Sequence, residues 1–151
     1  MGLEFNPDKL RKIFSEMSNA MEMLRDMAAL SSEEFSSDPH KVASAKYHFI
    51  VAIEGQIDLC NHIISKNRFR APEDYADTFQ ILADQGVFNK DFTFTLKQMA
   101  RFRNRFVHLY WEVDIGELYN ILTTRLPDVE KFIEVFSSYI DAESGREIPD
   151  T

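Results

Sequence analysis

Apolar positions along this chain recur at spacings of three and four, the period of an amphipathic helix, and polar breaks separate one such stretch from the next. Asn6-Pro7-Asp8 reads as a helix start, a cap residue followed by Pro at the first helical position. Leu10, Ile13, Phe14, Met17, Met21, Leu24, Met27 and Ala28 then mark one face of a first helix. Ser31 to Ser37 is a polar break. Asp38-Pro39 repeats the start signal and opens a long second helix to about Ser65. After a loop from Lys66 to Ala71, Pro72 with Glu73 and Asp74 predicts a third helix that stops at Gly86. Asn89 caps a fourth, running to about Trp111. Within it Phe92-Thr93-Phe94-Thr95 alternates like a strand, but the helical period that follows overrides this. Asp114 caps a fifth helix to Arg125, Pro127 kinks or restarts it, and Val129, Phe132, Ile133, Phe136 and Ile140 form the last stripe. The pattern predicts an all-α, up-and-down bundle of five to six helices, with residues 1–141 as one domain and 142–151 as a polar, frayed tail.

Composition narrows the function. The chain has 151 residues, 44% of them hydrophobic, and only five Gly and five Pro, too few turn formers for a many-stranded β fold. A net charge of −8 excludes a generally basic nucleic-acid binder, so any contact with phosphates needs a local cationic patch. One cysteine, Cys60, excludes an internal disulfide framework and a multi-cysteine zinc site. The start of the chain has no apolar signal core, and no 18-residue apolar run occurs, so a cytoplasmic protein is expected. His40, His48, His62 and His108 show no metal-ligand spacing, and neither a metal nor a cofactor is expected.

One residue breaks the pattern. Wound as a helix, Asn89 to Trp111 places Phe92, Leu96, Met99, Ala100, Phe102, Phe106, Val107, Leu109 and Tyr110 in an apolar arc roughly 200° wide. Arg103 projects near the middle of that arc. A guanidinium cannot shed its charge, so it must meet a carboxylate, a wet cleft or a ligand's anion. Glu54 and Asp58, four apart on the second helix, are the candidate carboxylates for an internal ion pair. The alternative is an anion-binding site. Lys97, Arg101, Arg103 and Arg105 stand within one short stretch with no acid between Lys97 and His108, which makes Lys97, Arg101 and Arg105 candidate RNA or phosphate contacts. His108 falls about 140° around and about 7.5 Å along from Arg103 on a regular helix, too far to converge on one atom. The two need a helix irregularity or a groove formed against a second subunit.

Arg103-Asn104-Arg105-Phe106-Val107-His108-Leu109-Tyr110 resembles the signature of the HepT-like proteins of the HEPN superfamily: Arg, four residues, His, one residue, Tyr. Asp58-Leu59-Cys60-Asn61-His62-Ile63-Ile64, Arg70-Ala71-Pro72-Glu73-Asp74-Tyr75, Phe79-Gln80-Ile81-Leu82, Gly86-Val87-Phe88, Val113-Asp114 and Leu118-Tyr119-Asn120-Ile121 continue the likeness in order, over roughly Val42 to Tyr139. The resemblance implies a helical homodimer whose signature helices line a shared cleft. It further implies a metal-independent ribonuclease, the toxin of a pair whose antitoxin is a separate minimal nucleotidyltransferase that adenylylates the signature tyrosine. On that footing Arg103 clamps phosphate, His108 is general base or acid, Asn104 orients His or substrate, and Tyr110 is the acceptor of AMP. The competing expectation is a non-catalytic HEPN dimerisation or docking module that binds a nucleotidyltransferase.

Overall fold

The structure, a computed structural model, describes residues 2–144. Among them are seven α-helices and no strand: α1 (Pro7–Ala28), α2 (Ser32–Ser36), α3 (Pro39–Lys66), α4 (Tyr75–Asp84), α5 (Lys90–His108), α6 (Ile115–Thr124) and α7 (Leu126–Ser144), with a 3-10 turn at Tyr110–Glu112. No helix among the described residues is long and apolar enough to cross a membrane.

Most of the anticipated caps operate, but Asp114, at the N-cap position of α6, makes no side-chain cap hydrogen bond. Asn6 accepts from the backbone N–H of Asp8 and Lys9, Asp38 from His40, and Asn89 from Phe92. Four boundaries differ from expectation. The polar run at Ser31 to Ser37 holds α2 instead of a break, because Ser31 and Glu34 form a reciprocal capping box and Phe35 is fully buried. This short element raises the count beyond six helices. α4 starts at Tyr75 rather than Pro72, since Asp74 is the residue whose side chain accepts from one of the free N–H groups of the first turn, that of Asp77. α5 ends at His108, three residues before Trp111. At the other end α7 runs through Ser144, so the first residues assigned to a tail are helical, while residues 145–151 lie outside the described residues.

The core explains the phenylalanine content. Phe79, Phe88, Phe132, Phe136 and Phe14 touch in a continuous series of ring contacts, 5.6 to 6.5 Å between centroids, that joins α4 to α7 and α7 to α1. Gly55 lets α1 and α3 pack tightly: a Cβ there would collide with Met17 Cγ and stand 2.7 Å from its Sδ.

The N-terminal segment is clipped to the end of α3. Glu4 N–H donates to Asn67 Oδ1 and Asn67 Nδ2 returns a bond to Glu4 O, both 2.9 Å. Asn6 N–H donates to the buried His62 Nε2 at 2.8 Å. Burial, with Lys9 and Lys66 nearby, lowers the His62 pKa below its ordinary 6.5, so the folded protein keeps the ring neutral and able to accept. The unfolded chain binds that proton more readily, so this contribution is complete above 6.5 and is lost as pH falls toward the lower folded value. Thermal unfolding followed by circular dichroism from about pH 8 to about pH 5 should show a falling Tm. His62→Gln should flatten that fall, and equal slopes in both proteins would reject the assignment.

Candidate functional site

α3 and α5 pack antiparallel. Phe49 meets Phe106 at 6.2 Å between ring centroids, and Glu54 meets Arg103 further along both helices. Phe92, Leu96, Met99 and Phe106 are buried at steps of three, four and seven, and Arg103 occupies the remaining position of that stripe. Its side chain is 12% exposed. Arg103 Nε and Nη2 both donate to Glu54 Oε1, at 3.0 and 2.7 Å, and Nη1 donates to Asn104 Oδ1 at 3.3 Å. The Tyr75 ring, from the first residue of α4, lies 4.8 Å from the guanidinium carbon. Residues of three helices therefore fix one cation. Three of its five N–H donors are used, so two stay available to an anion.

Of the two carboxylates proposed for Arg103, Glu54 forms the pair. Asp58 sits one turn further on and lines a separate groove of about 780 Å³ with Lys9, Lys12 and His62. Burial, then the nearby Glu54 charge, raises its pKa. Asn104 is exposed and touches Arg103 directly. His108 is the last residue of α5, exposed, with no hydrogen bond or ion pair to any described residue. It stays on a different face of α5 from Arg103, so one protomer does not bring the two together.

The cationic candidates separate into two kinds. Arg105 is engaged: its guanidinium pairs with both carboxylate oxygens of Glu117 in α6, which lowers the Glu117 pKa. Lys97 Nζ donates to Gln80 Oε1 at 2.6 Å, a neutral partner. Arg101 is exposed and has no carboxylate within ion-pair distance among the described residues. No group of three or more His, Cys, Asp or Glu among those residues could hold a metal ion. Cys60 is buried, and burial pushes its thiol well up.

The end of α5 determines the rest. Leu109 leaves helical geometry at φ −131° and ψ 39°, and Tyr110–Glu112 form the 3-10 turn. Tyr110 was expected on the helical arc and Trp111 at the end of the same helix; the turn instead swings them outward, 60% and 66% exposed, edge to face at 5.3 Å. Val107, Leu109 and Ile115 are exposed as well, and together they make an apolar surface beside His108. Of the phenylalanines on this helix, Phe92 and Phe106 are buried inside the monomer and Phe102 is partly so, while Phe94 is exposed. Two partners escaped the sequence reading. Tyr75 had a signal, an aromatic directly after a cap residue. Glu117 had none.

A family model, Ribonuclease HepT-like, matches residues 17–136. This chain belongs to the HepT-like ribonuclease family. Its relatives include an mRNA nuclease HepT of Shewanella oneidensis, 31% identical over 85 residues, and the YutE protein of Bacillus subtilis, 30% identical over 93 residues. The matched region is 56% and 62% of this chain and spans 64% and 65% of those relatives' lengths. In three dimensions the chain is similar to the structure of YutE, at TM-score 0.82 and 21% identity over 98% of this chain and 99% of that one. It is also similar to a tri-AMPylated Shewanella oneidensis HEPN toxin in complex with an MNT antitoxin, at TM-score 0.80 and 22% identity over 88% of this chain and 99% of that one. These last two likenesses establish the HEPN fold.

Arg103→Ala should fold but lose stability, by about 1–3 kcal/mol in urea unfolding, because Glu54 is 41% exposed and can return to water. A variant that fails to fold at all would make the pair purely structural.

Proposed function

We propose that this HepT-like chain is a metal-independent endoribonuclease, the toxin of a toxin–antitoxin pair whose partner is a separate minimal nucleotidyltransferase. The observation that carries the reading is Arg103: a cation fixed by Glu54, Tyr75 and Asn104, with two donors left, in the same last turns of α5 that end on the unpaired His108. An anchored guanidinium holds a phosphate without spending new conformational entropy, and offers its donors where charge builds on the phosphoryl oxygens. His108 takes the proton of a ribose 2′-OH, the 2′-oxygen attacks phosphorus, and the 5′-oxygen leaves with a proton from a general acid. Asn104 orients Arg103 and the phosphate. Because Arg103 and His108 diverge within one protomer, the working cleft is shared by two copies, and the exposed apolar surface from Val107 to Ile115 is the contact that joins them. A second His108 then stands on the opposite side of the phosphate as the acid.

Tyr110 is the acceptor for adenylylation. Its exposed hydroxyl has no hydrogen-bond partner among the described residues, and the similar Shewanella toxin carries AMP groups in its antitoxin complex. The phenol oxygen attacks the α-phosphorus of ATP, and pyrophosphate leaves. An AMP there places a bulky anion two residues from His108. The exposed apolar surface also favours a second reading, a non-catalytic module that docks a nucleotidyltransferase.

The deciding experiment incubates wild type and His108→Ala with labelled RNA in EDTA, beside a matched DNA. Wild type should cut RNA and leave DNA intact. His108→Ala should lose at least about 100-fold in rate while melting like wild type, since the residue is exposed. Loss of cleavage in EDTA would overturn metal independence, and no cleavage by pure wild type would select the docking module. Mass spectrometry after incubation with a cognate nucleotidyltransferase and ATP should find AMP on wild type and none on Tyr110→Phe.

A further inference from the structure

Lys90, Phe94, Lys97, Arg101, Asn104 and His108 recur along α5 at alternating steps of four and three. Such spacing winds them into a single stripe about 80° wide that ends on His108. It holds three cations and no carboxylate, in a chain of net charge −8. The acids nearest its N-terminal half are committed elsewhere. Asp77 on α4 takes two bonds from Arg70, which holds its pKa down at about 2. Asp84 lies 3.9 Å from Arg70 and accepts from Gln80. Asp91 winds to a face about 60° away from Phe94. Lys90 and Arg101 have no carboxylate within 4.0 Å among the described residues, and Lys97 donates to the neutral Gln80 while its charge also acts on Asp77.

Phe94 is the anomaly of this stripe. It is 59% exposed on a helix whose other phenylalanines are buried or partly so. The ring forms one wall of a groove of about 350 Å³ between α4 and α5, lined also by Ala83, Phe88, Thr93, Lys90 and Lys97. That volume falls in the range of small-ligand clefts. A bare aromatic face flanked by two ammonium groups suits a flat π system with an anion on each side. An unpaired nucleobase between two phosphates has that chemistry, and stacking of this kind tolerates any base. A duplex does not expose such a face, and a small cleft with one open ring fits a single flat group better than the broad surface of a protein.

We propose that this groove is a remote subsite for single-stranded RNA: one base stacks on Phe94, Lys90 and Lys97 hold the flanking phosphates, and Arg101 leads the strand along α5 to His108. The subsite rests on the ribonuclease reading for its purpose, though not for its binding. Phe94 and His108 are fourteen residues apart on α5, about 21 Å, so the stacked base lies several nucleotides from the one being cut. The nuclease then prefers unpaired stretches long enough to reach both points over short ones.

The test measures fluorescence anisotropy of a labelled single-stranded oligoribonucleotide on His108→Ala protein, so that nothing is cut during the reading. Adding Phe94→Ala should weaken binding about 5–150-fold, the worth of one stacked base, while Phe94→Tyr keeps it. The advantage of a long oligoribonucleotide over a dinucleotide should shrink by the same factor. Lys90→Gln with Lys97→Gln should make the slope of log affinity against log salt shallower by about 1.4. Unchanged binding by Phe94→Ala overturns the subsite even if wild type cleaves RNA. Binding lost only because light scattering shows Phe94→Ala has become a monomer overturns it in favour of a contact between copies. RNA affinity kept while affinity for a nucleotidyltransferase falls overturns it in favour of protein docking. Phe94-dependent binding by a wild type that never cleaves upholds the subsite and rejects the nuclease reading instead.

Discussion

A charge on the inner stripe of α5 is the constraint that the candidate site depends on. Arg103 takes a position where its neighbours along the helix are Met99 and Phe106, both buried. The bundle accommodates it with Glu54 from α3 and the ring of Tyr75 from α4. The half-exposed Glu54 keeps the pair within reach of water, so the desolvation cost is far below that of a fully dry pair. Two guanidinium N–H donors have no partner among the described residues. An arrangement that was only structural would be better served by an apolar residue. A guanidinium held in this way is fixed and pre-oriented, which suits it to hold an anion.

The second constraint is where α5 stops. Had the helix continued to Trp111, Tyr110 and Leu109 would have joined the apolar arc and packed inside. Instead the 3-10 turn at Tyr110–Glu112 places Tyr110 and Trp111 in solvent, and Val113 returns the chain to the core before α6 begins. His108 therefore stands at the edge between a cationic stripe along α5 and an apolar surface past its end. The stripe has the chemistry of a polyanion track, and the apolar surface that of a protein contact. Both meet at one helix end.

Arg105 shows how local sequence can mislead. It lies in the densest cationic run of the chain, yet Glu117 from α6 neutralises it. Phe94 misleads in the opposite direction: its alternation with Phe92 resembles a strand, and only the packed structure shows its ring open beside a groove between α4 and α5. Phe35 hides inside a serine- and acid-rich run that reads as a break, but its full burial makes α2 a packing element.

What could be read from the sequence were the properties set by residues near one another in the chain. The helical period, the Asn6, Asp38 and Asn89 caps, and the misfit of Arg103 all depend on side chains within a turn or two, and the structure bears them out. The family signature is local too, which is why the likeness was legible in one helix. Which carboxylate meets Arg103 was not legible. Glu54 and Asp58 share a face of α3, and only the register of α3 against α5 chooses between them. The end of α5 at His108, the commitment of Arg105 to Glu117, and the open ring of Phe94 likewise follow from contacts between elements far apart in sequence. Periodicity determines which face of a helix is apolar. Only packing decides what that face meets.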